Sequence, residues 1–180
     1  MDFLWQIEGD ILLWIQEYVR ADWLNPIVNF ITNLGNAGWF WLALLIVMLF
    51  FQKTRKAGIT GLIAVLIGFI ITNVCLKNLV ARVRPYEIIE GLEYITKKPS
   101  DWSFPSGHST ASMAASVVLF CRLPKKYGVP ALVLGILISL SRLYVGVHYP
   151  TDVLVGMLVG CFGAFMAMKI MDRKSTAGSE

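Results

Sequence analysis

The chain has 180 residues, of which 56% are hydrophobic and 16% are charged, and its mean hydropathy is +0.63. This composition is unlike that of a soluble domain and favours one compact bundle in a membrane. The formal net charge of +4 comes from basic residues in small, dispersed groups. They do not form the basic stripe with interleaved aromatic residues that is typical of nucleic-acid binding, so no nucleic-acid partner is expected.

Residues 1–34 have the pattern of two amphipathic helices. Apolar residues recur at helical spacing over residues 3–18, and a second, shorter stripe covers residues 24–34. We expect both helices to lie in the outer membrane interface, with one tilted spanning helix as the alternative. The segment does not resemble a cleavable signal, because five acidic residues outnumber the single basic Arg20.

Five apolar runs follow, and each is close to the ~20 residues that a helix needs to cross a bilayer. The runs are 35–51, 57–76, 106–121, 128–147 and 150–168. The sequence therefore predicts an all-α integral membrane bundle of about five spanning helices, preceded by the interfacial helices. The membrane domain is expected to cover residues 35–174, and residues 175–180 are expected to form a polar tail.

Basic residues in the short connections predict the orientation of the bundle. Cytoplasmic loops carry an excess of Lys and Arg, and three basic groups fall on one side of the predicted bundle: 53–56, 122–126 and 169–174. If that side is the cytoplasm, the connection 82–105 and the turn around His148 lie on the outer, extracytoplasmic face of the cell membrane.

Charged residues within or beside apolar runs are costly and usually mark a function. In the first such group, Lys77 and Arg84 share a helix face, because seven residues make almost two turns. Pro85 disfavours helical backbone at Arg84. Arg82 lies off that face and is expected to contact a neighbouring side chain or a headgroup. Basic residues at a helix end also serve as membrane anchors, which is the alternative for the whole group.

The second group stands immediately before an apolar run. Ser106 is a good N-cap, and Gly107 allows a ligand to approach the backbone closely, so the first turn can bind an anion such as phosphate. An ordinary capped helix that carries an interfacial His108 is the alternative.

The third group combines Arg142, His148 and Asp152. Pro150 suits the first turn of the final helix, so the Asp152 carboxylate can reach back to a ring nitrogen of His148. Glycines follow Asp152 at intervals of four, which predicts close packing of that helix against a neighbour. The chain has only two histidines, and both fall in these segments.

Together these residues resemble the signature of the type 2 phosphatidic acid phosphatase (PAP2) superfamily, whose three parts correspond here to residues 77–85, 105–108 and 141–152. The resemblance implies that His148 attacks phosphorus to form a phosphohistidine, that Asp152 orients the His148 ring, and that His108 protonates the leaving oxygen. It also implies a set of residues that bind the phosphoryl oxygens without a metal or other cofactor: Lys77, Arg84, Ser106, Gly107 and Arg142.

A membrane-embedded phosphatase of this kind is expected to act on a lipid. Undecaprenyl pyrophosphate is the first expectation, and phosphatidylglycerol phosphate or phosphatidic acid comes next. Transfer of the phosphate to another lipid remains open, as do two non-enzymatic alternatives, an anion transporter and an inactive scaffold. The protein is expected to be a monomer or a weak homodimer. The connection 86–104 is either a lid over the site or a passive loop.

Overall fold

The computed structural model describes residues 3–177, with side chains through Arg173. Residues 1–2 and 178–180, which include the end of the predicted polar tail, lie outside the described residues. Within 3–177 the chain forms helices and turns and no strand, which confirms the all-α fold.

Two helices precede the bundle, as the sequence predicts. Helix α1 (Phe3–Trp14) continues into a π-helical turn, and helix α2 (Asn25–Leu34) follows. The apolar stripe of α1 is its exposed side, since Phe3 is 78% exposed. The buried residues of α1 are instead Glu8, Gly9 and Leu12. Helix α1 therefore packs on the bundle through a face that carries a carboxylate.

The remaining helices form the bundle and its outer connection. Their bounds are α3 (Trp39–Leu49), α4 (Gln52–Phe69), α5 (Lys77–Val80), α6 (Pro85–Ile88), α7 (Gly107–Arg122), α8 (Lys125–Tyr144) and α9 (Pro150–Ala177). A π-helical stretch joins α4 to α5.

The number of helices that could span a membrane is smaller than the predicted five. Among the described residues, the stretches that are long and apolar enough are Gln52–Ile88, Lys125–Tyr144 and Pro150–Arg173, and the bent pair α2–α3 adds a fourth if it forms one span. The pair bends by 47° at a break, where Ala37 and Gly38 both have positive φ. Helix α7 has only 16 residues. The count falls because the helices of two predicted spans are short, α3 with 11 residues and α7 with 16.

Helix α7 lies at the centre of the bundle, in contact with α4, α8 and α9. Its packing on α9 depends on two glycines, because a Cβ atom at Gly156 would lie 2.6 Å from the Ser106 carbonyl oxygen and one at Gly160 would lie 2.5 Å from that of Thr110. The predicted close packing of the last helix is therefore present. It brings the first turns of α7 and α9 together, where the Ser106 N–H donates to the Asp152 carbonyl oxygen at 3.0 Å.

Candidate active site

His148 lies in the turn between α8 and α9 and is almost completely buried. Its Nδ1 lies 3.4 Å from Asp152 Oδ2, as the spacing predicts. Its Nε2 lies 3.4 Å from Arg84 Nη1, which can only donate. Nε2 is therefore the unprotonated nitrogen, and Nδ1 carries the proton toward Asp152. Burial lowers the pKa of His148 to about 3, although its hydrogen bond with Asp152 opposes this shift.

The Asp152 carboxylate is fixed from several sides. Oδ2 accepts hydrogen bonds from the Ser103 hydroxyl and from the Tyr149 backbone N–H, the latter at 2.9 Å. Oδ1 accepts a hydrogen bond from Arg82 at 2.8 Å. These three groups and His148 together define the orientation of this carboxylate. The backbone contact exists because α9 begins at Pro150 and Asp152 falls in its first turn.

Lys77 and Arg84 converge, but not because they share a helix face. Helix α5 ends at Val80, Ala81 is left-handed with φ 46°, and Arg84 is extended. Both cations reach the same carboxylate across this break: Lys77 binds Asp101 Oδ2, and Arg84 Nη2 donates to Asp101 Oδ1 at 2.6 Å. The two cations therefore point the same way, as the sequence predicts, but the prediction that they share one helix face is wrong.

Asp101 lies in the connection after α6 and was not predicted from the sequence. Its side chain is 49% exposed, whereas those of Lys77 and Arg84 are at most 6% exposed. Burial favours the protonated carboxyl, but the hydrogen bond from Lys77 and the charge of Arg84 outweigh it and hold the pKa of Asp101 below its ordinary value. A carboxylate therefore pairs with both of the predicted phosphate-binding cations.

Arg82 points away from Asp101 and toward the back of His148. Its side chain is only 10% exposed, so it is not a headgroup contact, and the alternative of a neighbouring side chain is correct. It bridges Asp152 to Glu8 of helix α1, with Arg82 Nη2 donating to Glu8 Oε2 at 2.5 Å. Glu8 was missed because the amphipathic pattern of α1 was assigned by its apolar stripe.

Two residues near the α2–α3 break contact the other predicted site residues. Asn36 Oδ1 lies 2.9 Å from His108 Nε2, and Arg142 Nη1 donates to Thr32 Oγ1 at 2.6 Å. Asn36 Nδ2 donates to Asn33, so its oxygen faces His108 and accepts the Nε2 proton. The sequence signal for the Thr32 contact is the polar face of α2, which turns in part toward the protein.

The first turn of α7 supplies the remaining predicted residues. Ser106 caps the helix, since its Oγ accepts from the Ser109 backbone N–H at 3.4 Å. The N–H groups of a first helical turn have no partner within the helix, and Gly107 lines the cavity described next. The predicted Ser106 cap is therefore present, and phosphate binding at this helix start stays a prediction.

One cavity of about 850 Å³ joins these groups. Its polar end is lined by His108, His148, Lys77, Arg84 and Arg142. Its apolar walls come from α3 and α4 and include Leu42, Leu62, Val65, Leu66 and Phe69. The connection contributes residues 96–101 at the mouth. A charged group and an apolar chain can therefore occupy adjoining parts of one space. No group of three or more side chains that could hold a metal occurs within 3–177.

Comparison with known proteins agrees with this arrangement. The profile described as the PAP2 superfamily matches residues 58–176. The chain belongs to this superfamily. It is 33% identical over 153 residues to an undecaprenyl-diphosphatase of Sulfolobus acidocaldarius, covering 85% of this chain and 73% of the relative. It is 31% identical over 153 residues to the undecaprenyl-diphosphatase BcrC of Bacillus subtilis, covering 83% and 76% of the two chains.

A solved structure extends the likeness to the fold. The crystal structure of a transmembrane PAP2-type phosphatidylglycerolphosphate phosphatase from Bacillus subtilis matches with a TM-score of 0.78 and 29% identity, covering 96% of this chain and 88% of that one. This PAP2 protein is therefore a membrane lipid phosphatase. Helix α1, which carries Glu8, precedes the residues matched by the family profile.

Proposed function

We propose that this PAP2 protein hydrolyses undecaprenyl pyrophosphate to undecaprenyl phosphate at the extracytoplasmic face of the cell membrane. The observation that carries the proposal is the single cavity, in which two histidines and three cations adjoin apolar walls. Such a cavity suits a lipid whose charged headgroup must meet polar residues while its chain stays in an apolar environment. Two relatives that bear the name undecaprenyl-diphosphatase favour this substrate.

In the proposed reaction, His148 Nε2 attacks the terminal phosphorus and His108 protonates the oxygen that leaves with the lipid. A phosphohistidine forms, and water then releases phosphate from it. The unprotonated Nε2 and the Nδ1–H that faces Asp152 suit His148 for attack. The contact of Asn36 with His108 Nε2 suits a proton donor held in one orientation.

Lys77, Arg84 and Arg142, with Ser106 and the Gly107 backbone, bind the phosphoryl oxygens in this proposal. Charge accumulates on these oxygens in the transition state, and fixed donors in a site with little water stabilise it strongly. Arg84 already lies beside His148 Nε2, which is where the attacked phosphorus must come. No role is assigned to a metal or other cofactor, in keeping with the sequence prediction.

The distribution of basic residues supports the extracytoplasmic orientation. Arg122 pairs with Asp172 at 2.7 Å, and Lys56 lies near enough to Asp172 to interact with it. These three residues belong to, or lie beside, the three basic connections of the predicted cytoplasmic side. The positive-inside rule then leaves the cavity on the other face.

Phosphatidylglycerol phosphate is the second candidate substrate, because the structural relative from Bacillus subtilis is named for that activity. Phosphate release from a panel of lipid phosphates in detergent tests both candidates, with the native chain and His148→Ala compared throughout. We expect fastest release from undecaprenyl pyrophosphate and none with His148→Ala. Equal release by the two chains refutes the catalytic assignment, and faster release from phosphatidylglycerol phosphate replaces the first substrate with the second. Adding an acceptor lipid alcohol tests for phosphotransfer.

A further inference from the structure

Glu8 is a buried carboxylate that the proposed reaction does not use. It is only 2% exposed and belongs to α1, outside the residues that match the PAP2 profile. Burying an ionised carboxylate is costly unless other groups compensate its charge and hydrogen-bonding capacity. Its contacts therefore indicate what it does.

Both carboxylate oxygens of Glu8 are used. Oε2 accepts from Arg82 Nη2 at 2.5 Å. Oε1 accepts from the Thr151 backbone N–H at 2.9 Å and from the Thr151 hydroxyl at 2.6 Å. One glutamate thus connects α1 to the guanidinium of Arg82 and to the first turn of α9, which begins one residue before Thr151.

Arg82 transmits this contact to the catalytic pair. Its Nη1 donates to Asp152 Oδ1 and to Thr151 Oγ1, both at 2.8 Å. Its guanidinium carbon lies 3.7 Å from the centre of the Tyr149 ring and 4.7 Å from that of Trp5. The guanidinium is therefore held between two aromatic rings and two carboxylates. Because Arg82 occupies Oδ1 of Asp152, Oδ2 is the oxygen that faces His148.

We propose that Glu8 is a positioning residue for the phosphatase reaction, acting on His148 through Arg82 and Asp152. The inference rests on the proposed role of His148. Glu8 and Asp152 carry two negative charges against the one positive charge of Arg82, so the cluster keeps a net negative charge behind His148. That charge favours the positive imidazolium ring that develops when Nε2 bonds to phosphorus. Without Glu8 the cluster is neutral, and Arg82 is free to draw Asp152 away from the ring.

Two substitutions separate this role from simple support of the fold. In Glu8→Gln, the amide oxygen can still accept from Thr151, but the amide nitrogen then faces Arg82, where two donors oppose each other. Glu8→Ala removes both sets of contacts. Asp10→Asn is the matched control, because Asp10 is an exposed acidic residue on the same helix. The three variants are compared by kcat, KM and thermal unfolding in detergent.

We expect Glu8→Gln and Glu8→Ala each to lower kcat by about tenfold or more, the scale on which one lost hydrogen bond to a charged group changes a rate, with KM within about twofold of the native value. Asp10→Asn should match the native chain. If Glu8→Gln is as active as the native chain while Glu8→Ala is impaired, Glu8 only supports the start of α9 and the proposal is wrong. A loss confined to KM also overturns it.

A variant that fails to fold is replaced by the double substitution Glu8→Gln with Arg82→Gln, which removes both buried charges. This double variant should also lose kcat, and native kcat in it contradicts the proposal. His148→Ala is assayed in parallel. If His148→Ala retains activity, the proposed reaction is wrong. If His148→Ala is inactive but the Glu8 variants are as active as the native chain, only the positioning role is wrong.

Discussion

Replacing Asp101 by Asn should tighten the binding of inorganic phosphate. The Asp101 carboxylate pairs with Lys77 and Arg84, the cations that the proposed reaction assigns to the phosphoryl group. An incoming phosphate must therefore compete with it. The cations do not depend on this side chain for their position, because Arg84 also donates to the Val147 carbonyl oxygen at 2.7 Å and Lys77 to that of Trp102 at 3.0 Å.

The size of the effect follows from the exposure of the carboxylate. The Asp101 side chain is 49% exposed, so solvent screens both of its ion pairs. The free energy that each pair contributes is then in the range of exposed pairs, about 0.2–1 kcal/mol. Two such pairs total about 1.4 kcal/mol at the middle to upper part of that range, which corresponds to about tenfold in affinity. The expected change is thus a fall of about tenfold in the inhibition constant of phosphate.

The assay is competitive inhibition of lipid phosphate hydrolysis by added inorganic phosphate. Glu90→Gln is the matched control, because Glu90 is an exposed acidic residue of the same outer connection and is not among the residues that line the cavity. Its inhibition constant should equal that of the native chain. If Asp101→Asn leaves phosphate inhibition unchanged or weakens it, Asp101 arranges the cations rather than competing with phosphate, and the reasoning is refuted.

Three further substitutions test the mouth of the cavity, the buried histidine and the helix packing. Lys97 lines the cavity, so Lys97→Gln should raise KM about threefold for a lipid diphosphate and less for a lipid monophosphate. Lys125→Gln should change neither KM, and equal KM shifts for the two substrates in Lys97→Gln would contradict the prediction. Burial holds the pKa of His148 at about 3, so below about pH 6.5 the unfolded chain binds one more proton than the folded chain. Stability therefore falls as the pH falls, and the unfolding temperature of His148→Gln should decline less than that of the native chain between about pH 7 and about pH 5. Gly160→Val places a Cβ 2.5 Å from the Thr110 carbonyl oxygen and should cost about 1–3 kcal/mol of stability, and an unchanged unfolding temperature would contradict the close α7–α9 contact.

Local rules predict much of this molecule. Hydrophobic periodicity is a property of neighbouring residues, so the helical class and most helix positions follow from the sequence. The same is true of contacts within one or two turns: the Ser106 cap, the start of α9 at Pro150, and the approach of Asp152 to His148 each need only a few consecutive residues. The grouping of the two histidines with three cations followed from a family resemblance, and the cavity brings all five together.

The count of spanning helices was less predictable, because hydropathy does not register where within an apolar run a helix begins and ends. The break at Asn36–Gly38, where Ala37 and Gly38 have positive φ, falls at the start of the first predicted span and leaves α3 with only 11 residues. Residue spacing likewise does not register backbone dihedral angles. Lys77 and Arg84 were therefore assigned to one helix face, although Ala81 ends the helix between them.

The sequence by itself determined the helical fold and indicated the side chains that we propose carry the chemistry, since both depend on residue type and short spacing. Only the tertiary structure decided which distant groups contact them. Asp101 pairs with Lys77 and Arg84, Asn36 contacts His108, and Glu8 pairs with Arg82. The physical reason is distance along the chain. Glu8 and Arg82 are separated by 74 residues, and a single charged residue in an amphipathic helix gives no local sign of the partner that compensates it.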